Sequence, residues 1–134
     1  MPMTTATVTA LQQASVGLNY QSETDAPWSA FNWPTASGEV TGETVKKLGK
    51  HKASVPATEK PLDEFFAPLV ADVDWYGDEE KGIAQQYQVM LGVIKGVLTT
   101  PKVVRVGATQ VTVYVVGQAK EGGWAGLVTQ AVET

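Results

Sequence analysis

From position 74 the chain reads Asp-Trp-Tyr-Gly-Asp-Glu-Glu, placing four carboxylates and two aromatic rings in seven residues. Carboxylates accept hydrogen bonds and attract cations, and large amphipathic rings anchor protein interfaces. Asp78, Glu79 and Glu80 also have an ordinary use. In the first turn of a helix, negative charge near the unpaired amides is favoured by about 0.3–1 kcal/mol each. Asp74 and Trp75 precede that turn. Either Trp75 packs inward while Asp74 caps the helix, or the two face outward as a recognition surface on a loop held by the helix start. Glu23 poses a similar choice. It lies between Ser22 and Thr24 and ahead of Pro27 and Trp28, a loop that prolines and aromatics rigidify, and it reads as a solvated acid or as an aimed ligand. The carboxylate of Thr134 follows the last strand closely enough to be held in place, although most chain ends are inert.

Catalytic chemistry has little support. His51, the single histidine, stands among lysines as an expected surface residue, so no Ser-His-Asp arrangement has a supported base. The absence of cysteine removes disulfides, thiolate zinc sites and cysteine nucleophiles. Gly122, Gly123 and Gly126 sit in a turn and a strand with no following helix to bind an anion. Glu23, Asp25 and Asp74 could together hold Mg²⁺ or perform acid–base work, yet two acids spaced by two in a loop are common. The expectation is a binding protein without enzymatic activity, resident metal or cofactor.

The elements that must position these residues follow from periodicity. Val8, Leu11, Ser15 and Leu18 mark a first helix, with Thr4 or Thr5 as cap and Gly17 near its end. A loop is expected from Asn19 to Pro27, then a short strand carrying Trp28, Phe31 and Trp33. Residues 34–60 are polar, with a short helix through Thr41, Glu43, Val45 and Leu48 stopped at Gly49, and solvated lysines beyond it. Leu62, Phe65, Phe66 and Leu69 form the buried side of a helix over Pro61–Val70. The longest pattern, Asp78–Leu98, shows a wide apolar face of Ile83, Tyr87, Met90, Leu91, Ile94 and Val97, so a mostly buried helix is expected. Gly82, Gly92 and Gly96 in it suggest close packing by a neighbour, and Pro101 is expected to end it. Three strands follow, Lys102–Val106, Val111–Val116 and Trp124–Val132, as an antiparallel meander. Val111, Val113 and Val115 alternate with Thr112, Tyr114 and Val116, as a sheet covered differently on its two faces requires. The fold class is α+β, a layered sandwich in one domain over residues 1–134.

The net charge of −4 argues against nucleic acid as a direct partner. Seven acids and no lysine or arginine fall between Asp63 and Glu80, while Lys46, Lys47, Lys50, Lys52 and Lys60 cluster upstream. No signal-like start and no membrane-length apolar run is present, so a soluble cytoplasmic protein with no membrane partner is expected.

The motifs DWYGDEE, VYVVGQ and the final TQAVET, with GLNYQSETDAPW upstream, resemble the nuclease A inhibitor family. The likeness runs in order from the first helix to the last residue and is weakest through residues 34–60. It implies a three-layer α/β/α sandwich of pathogenesis-related protein 1 shape, and a function as a protein inhibitor of a sugar-non-specific ββα-metal endonuclease. By position it implies that Glu23 is directed at the metal centre of the nuclease, that Asp74 and Trp75 are interface residues, and that Thr134 is the terminal threonine that also reaches that metal. Gly77 departs from the pattern, where another acid is expected. The alternative reading is a small-molecule or nucleic-acid binding protein on the same fold, using the lysine cluster.

Overall fold

The computed structural model describes residues 6–21, 25–34, 36, 38–52, 54–71, 77–119 and 122–132, with Gln21 described by its backbone alone. Among them lie four helices and seven strands. In chain order these are α1 (Ala6–Ser15), β1 (Asn19–Gln21), β2 (Asp25–Pro27), β3 (Ser29–Trp33), α2 (Gly42–Leu48), β4 (Ala57–Lys60), α3 (Leu62–Val70), α4 (Asp78–Val97), β5 (Leu98–Val106), β6 (Gln110–Ala119) and β7 (Trp124–Val132). Five strands form an antiparallel sheet in the order β3-β7-β6-β5-β4, and β1 pairs with β2 as a separate hairpin. The architecture is mixed α+β, and the expected meander is β5-β6-β7.

The alternation in β6 divides the core in two. Val111, Val113 and Val115 point into a cluster with Leu11 of α1, Phe65 and Phe66 of α3, and Tyr87, Met90 and Ile94 of α4. Tyr114 and Val116 point the other way, into a cluster with Val40, Val45 of α2, Val104, Val106 and Trp124. The neighbouring strands keep this phase, because opposed residues of a paired strand share a face. Leu127 and Ala131 lie with the three helices and Trp124 with α2. Each fully buried valine contributes about 1.5–3 kcal/mol, so the buried valines of β5 and β6, Val103, Val104, Val106, Val111, Val113, Val115 and Val116, are a main source of stability.

Helix α2 forms as expected, with Thr41 accepting from the Thr44 amide at 3.3 Å and Gly49 closing the helix by a 2.9 Å bond to Val45. Helix α3 buries Leu62, Phe65 and Phe66, with Leu69 half-buried.

Several expectations need correction. The loop Asn19–Pro27 contains the β1–β2 hairpin, and the polar stretch before Pro61 contains β4, whose Ala57, Thr58, Glu59 and Lys60 pair with Val106, Arg105, Val104 and Val103. None of these three strands has a strong side-chain signal; each is held by backbone pairing to a neighbour. Helix α4 is not mostly buried. Ala84, Tyr87, Met90 and Ile94 form one buried stripe, Ile83, Leu91 and Val97 are half-buried, and Val89 is 62% exposed. Its three glycines are not sites of close approach, since a Cβ at Gly82, Gly92 or Gly96 would meet nothing within 4 Å. Pro101 does not end the helix. Leu98 is already extended strand, and Pro101 lies in a register shift between Thr99 and Lys102, where its missing N–H interrupts no ladder bond.

Candidate functional site

Glu23, Asp74, Trp75 and Thr134 all lie outside the described residues, so the structure is informative about the elements from which their segments depart. Glu23 belongs to the connection of the first hairpin, and the residues on either side of that connection, Gln21 and Asp25, are paired across it. Asp74 and Trp75 fall between α3 and α4. Thr134 lies two residues past Val132, the last residue of β7, which is paired with Gln110.

A buried hydroxyl ties the first two of these regions together. Tyr87 projects from the inner stripe of α4, 2% exposed, and its hydroxyl accepts from Trp28 Nε1 at 3.1 Å and donates to the Asn19 carbonyl at 3.1 Å. Burial raises the Tyr87 pKa, opposed by the Trp28 hydrogen bond, so the hydroxyl keeps its proton for Asn19. Tyr20 fills the hairpin's inner side, its ring edge-on to Trp28 at 5.8 Å and stacked on Phe65 of α3 at 5.6 Å. From the sheet, Thr129 of β7 donates to the carbonyls of Ala26 and Pro27 at 3.2 and 3.0 Å. The hairpin is therefore fastened to α4, α3 and the terminal half of β7.

The α3–α4 junction meets the same region. Gln88 donates to the Val70 carbonyl at 2.9 Å, closing the end of α3 against α4. The Gly77 amide donates to Glu80 Oε2 at 2.5 Å, one of the unpaired amides of the α4 start satisfied by its own acid. A cavity of about 250 Å³ lies where the elements meet, lined by Asn19 from β1, Pro68 and Leu69 from α3, and Glu80, Ile83, Ala84 and Tyr87 from α4. The described acids beside the candidate segments, Asp25, Asp78, Glu79 and Glu80, are exposed. Among the described residues no three acids or histidines are grouped to hold a metal ion, and no helix is long and apolar enough to cross a membrane.

The lysine cluster is not a uniform basic surface. Lys46 is 7% exposed, with its ammonium 3.6 Å from Glu43, while Lys47, Lys50 and Lys52 are exposed. His51 likewise departs from the surface reading, being half-buried with Nε2 2.7 Å from the Tyr114 hydroxyl on the opposite face of the sheet from Tyr87. Burial lowers its pKa.

Sequence reasoning placed Tyr87 and Trp28 among the apolar positions but gave no role to the polar atoms they carry. Thr129 and Asn19 went unmarked. A buried tyrosine or tryptophan needs a partner for its polar atom, which is a signal; the identity of that partner, 68 residues away for Asn19, is not in the local pattern.

No curated protein matches this chain. A family model described as nuclease A inhibitor-like protein matches residues 5–134, which takes in all four candidate positions and every element described above. By that match the chain belongs to the nuclease A inhibitor-like protein family.

Proposed function

We propose that this protein is an inhibitor that binds and occludes the active site of a sugar-non-specific ββα-metal endonuclease, with no catalysis and no cofactor of its own. The family match over residues 5–134 carries the reading. Glu23 and Thr134 reach the divalent metal of the nuclease, the Glu23 carboxylate taking the place of a phosphate oxygen, and Asp74 and Trp75 contact the rim of the cleft. The exposed acids Asp25, Asp78, Glu79 and Glu80 beside these segments support it, because a basic substrate cleft attracts such a face and association is accelerated. Residues 1–134 act as one domain, a three-layer α/β/α arrangement of pathogenesis-related protein 1 shape, in the cytoplasm.

Titration of a ββα-metal nuclease with the purified protein tests this. Hydrolysis of DNA and of RNA should stop at the same near-stoichiometric ratio, since blocking the metal is blind to the sugar. Protection of only one nucleic acid would overturn the reading. Binding through the lysines is disfavoured by the burial of Lys46 and its pairing with Glu43. Replacing Lys47, Lys50 and Lys52 with glutamine should leave inhibition intact.

A further inference from the structure

Tyr87 does more than fill its place in the core. Phenylalanine would occupy nearly the same volume, as Phe66 does 6.4 Å away. The hydroxyl instead bonds both roots of the first hairpin: the carbonyl of Asn19, which opens β1, and the indole of Trp28, which follows β2. Asn19 and Pro27 are opposed at the base of that hairpin, and Gln21 and Asp25 at its top. A hydroxyl held on a long helix thus fixes the height and tilt of both strands at once, and Thr129 fixes the second strand from the sheet. Since the helix is anchored by Met90 and Ile94, neither of them measurably exposed, the fastening point does not move with the hairpin.

We propose that Tyr87 is a positioning residue for the inhibitory hairpin, fixing against α4 the two strands, β1 and β2, between which Glu23 falls in sequence. This rests on the assignment of Glu23 made under Proposed function. A carboxylate that must meet a metal ion depends on placement to a fraction of an ångström, so freeing the two roots weakens inhibition without removing any contact with the nuclease.

The test is a double-mutant cycle with an internal control. Tyr87→Phe and Tyr114→Phe each remove one buried hydroxyl, on opposite faces of the sheet, and each is made alone and together with Glu23→Gln. Inhibition constants and melting temperatures are measured for all. Tyr87→Phe should weaken inhibition roughly tenfold or more, Tyr114→Phe should not, and Tyr87→Phe should add nothing once Glu23 has become glutamine. The melting-temperature loss from Tyr87→Phe should be the same in both backgrounds. An equal loss of inhibition with and without Glu23, or wild-type inhibition by Tyr87→Phe, overturns the positioning role and leaves Glu23 standing. Wild-type inhibition by Glu23→Gln alone overturns the assignment of Glu23 itself, and the inference falls with it.

Discussion

The two faces of the sheet each bury a tyrosine hydroxyl, and they use it differently. On the face covered by α1, α3 and α4, Tyr87 reaches from a helix to the backbone and indole of the first hairpin. On the face covered by α2, Tyr114 stands on the central strand β6; among the described residues its hydroxyl meets His51, in the segment after the helix, while its ring lies against Phe31 and Trp33 of β3. The first joins elements distant in sequence at the region where the candidate residues depart. The second holds down a short local excursion rich in lysine. Burial raises both tyrosine pKa values, so both act as neutral hydrogen-bonding groups. What differs is what each hydroxyl bonds among the described residues: the Tyr87 hydroxyl bonds both Asn19 and Trp28, at the two roots of the hairpin, and the Tyr114 hydroxyl bonds His51 alone.

The sharpest stress on this contrast is a cavity on the hairpin face. Phe66→Ala should cost about 3–5 kcal/mol of folding stability, measured by urea denaturation, because Phe66 has no measurable exposure and lies against both Phe65 and Tyr87. A small loss would mean that α3 is not part of the rigid support. Glu23→Gln should come next, weakening binding to the nuclease by about 2–4 kcal/mol with no change in melting temperature. That loss should shrink when the nuclease is stripped of its metal, and an equal loss with and without metal would show that Glu23 meets basic side chains alone.

Gly92→Ala probes the outer side of α4, where a new methyl meets nothing within 4 Å. It should stabilise the protein by about 0.5–1 kcal/mol through helix propensity and leave inhibition unchanged. A destabilised variant would restore the close neighbour that the glycine pattern suggested.

The smallest effect belongs to the other face. Burial lowers the His51 pKa from its ordinary value of 6.5, so the folded imidazole binds fewer protons than the unfolded one in the acid range. The stability this contributes is full above about pH 6.5 and is lost as the pH falls through the lowered folded value. Strands β3, β6 and β7 carry no acid or base in their sequences, and the nearest charges along the chain are Lys46, Lys47, Lys50 and Lys52, with Glu43 paired to Lys46. Tyr114 is the titratable group in contact. Replacing His51 with glutamine keeps a hydrogen-bonding group but removes the titration, so the decline in melting temperature between pH 7 and pH 5 should be shallower than in the wild type. An unchanged slope would show that the imidazole titrates as it would in water.

The central sheet was legible because β6 announces it: valines at 111, 113 and 115 against Tyr114 and Val116 leave no alternative to a two-sided strand. Helix α2 was legible from its cap and stop, Thr41 and Gly49. The hairpin was not, because Asn, Gln, Asp and Pro have no strand preference, and what makes β1 and β2 extended is mutual pairing with Thr129 and Tyr87 beneath. The glycines of α4 misled for a related reason. Their cost to the helix is local, but close packing is only one of the reasons a sequence tolerates it. The family motifs gave the candidate positions by number, and the frame that would aim them is made of polar atoms on residues that local periodicity counts as apolar or ignores.

The meander also has a consequence for how the chain acquires its shape. Strands β5, β6 and β7 are consecutive hairpins and can zip from local contacts, which is fast. The two edge strands cannot. β3 waits for β7, and β4 for β5, so a chain emerging from the ribosome carries β4 unpaired until residues 98–106 have been made and β3 unpaired until residues 124–132 have been made. Such edges are open to pairing with other chains. Both are short, and β4 carries Glu59 and Lys60, features that slow such pairing. Synthesis rate through residues 98–132, rather than final stability, should therefore govern how much of the protein escapes aggregation.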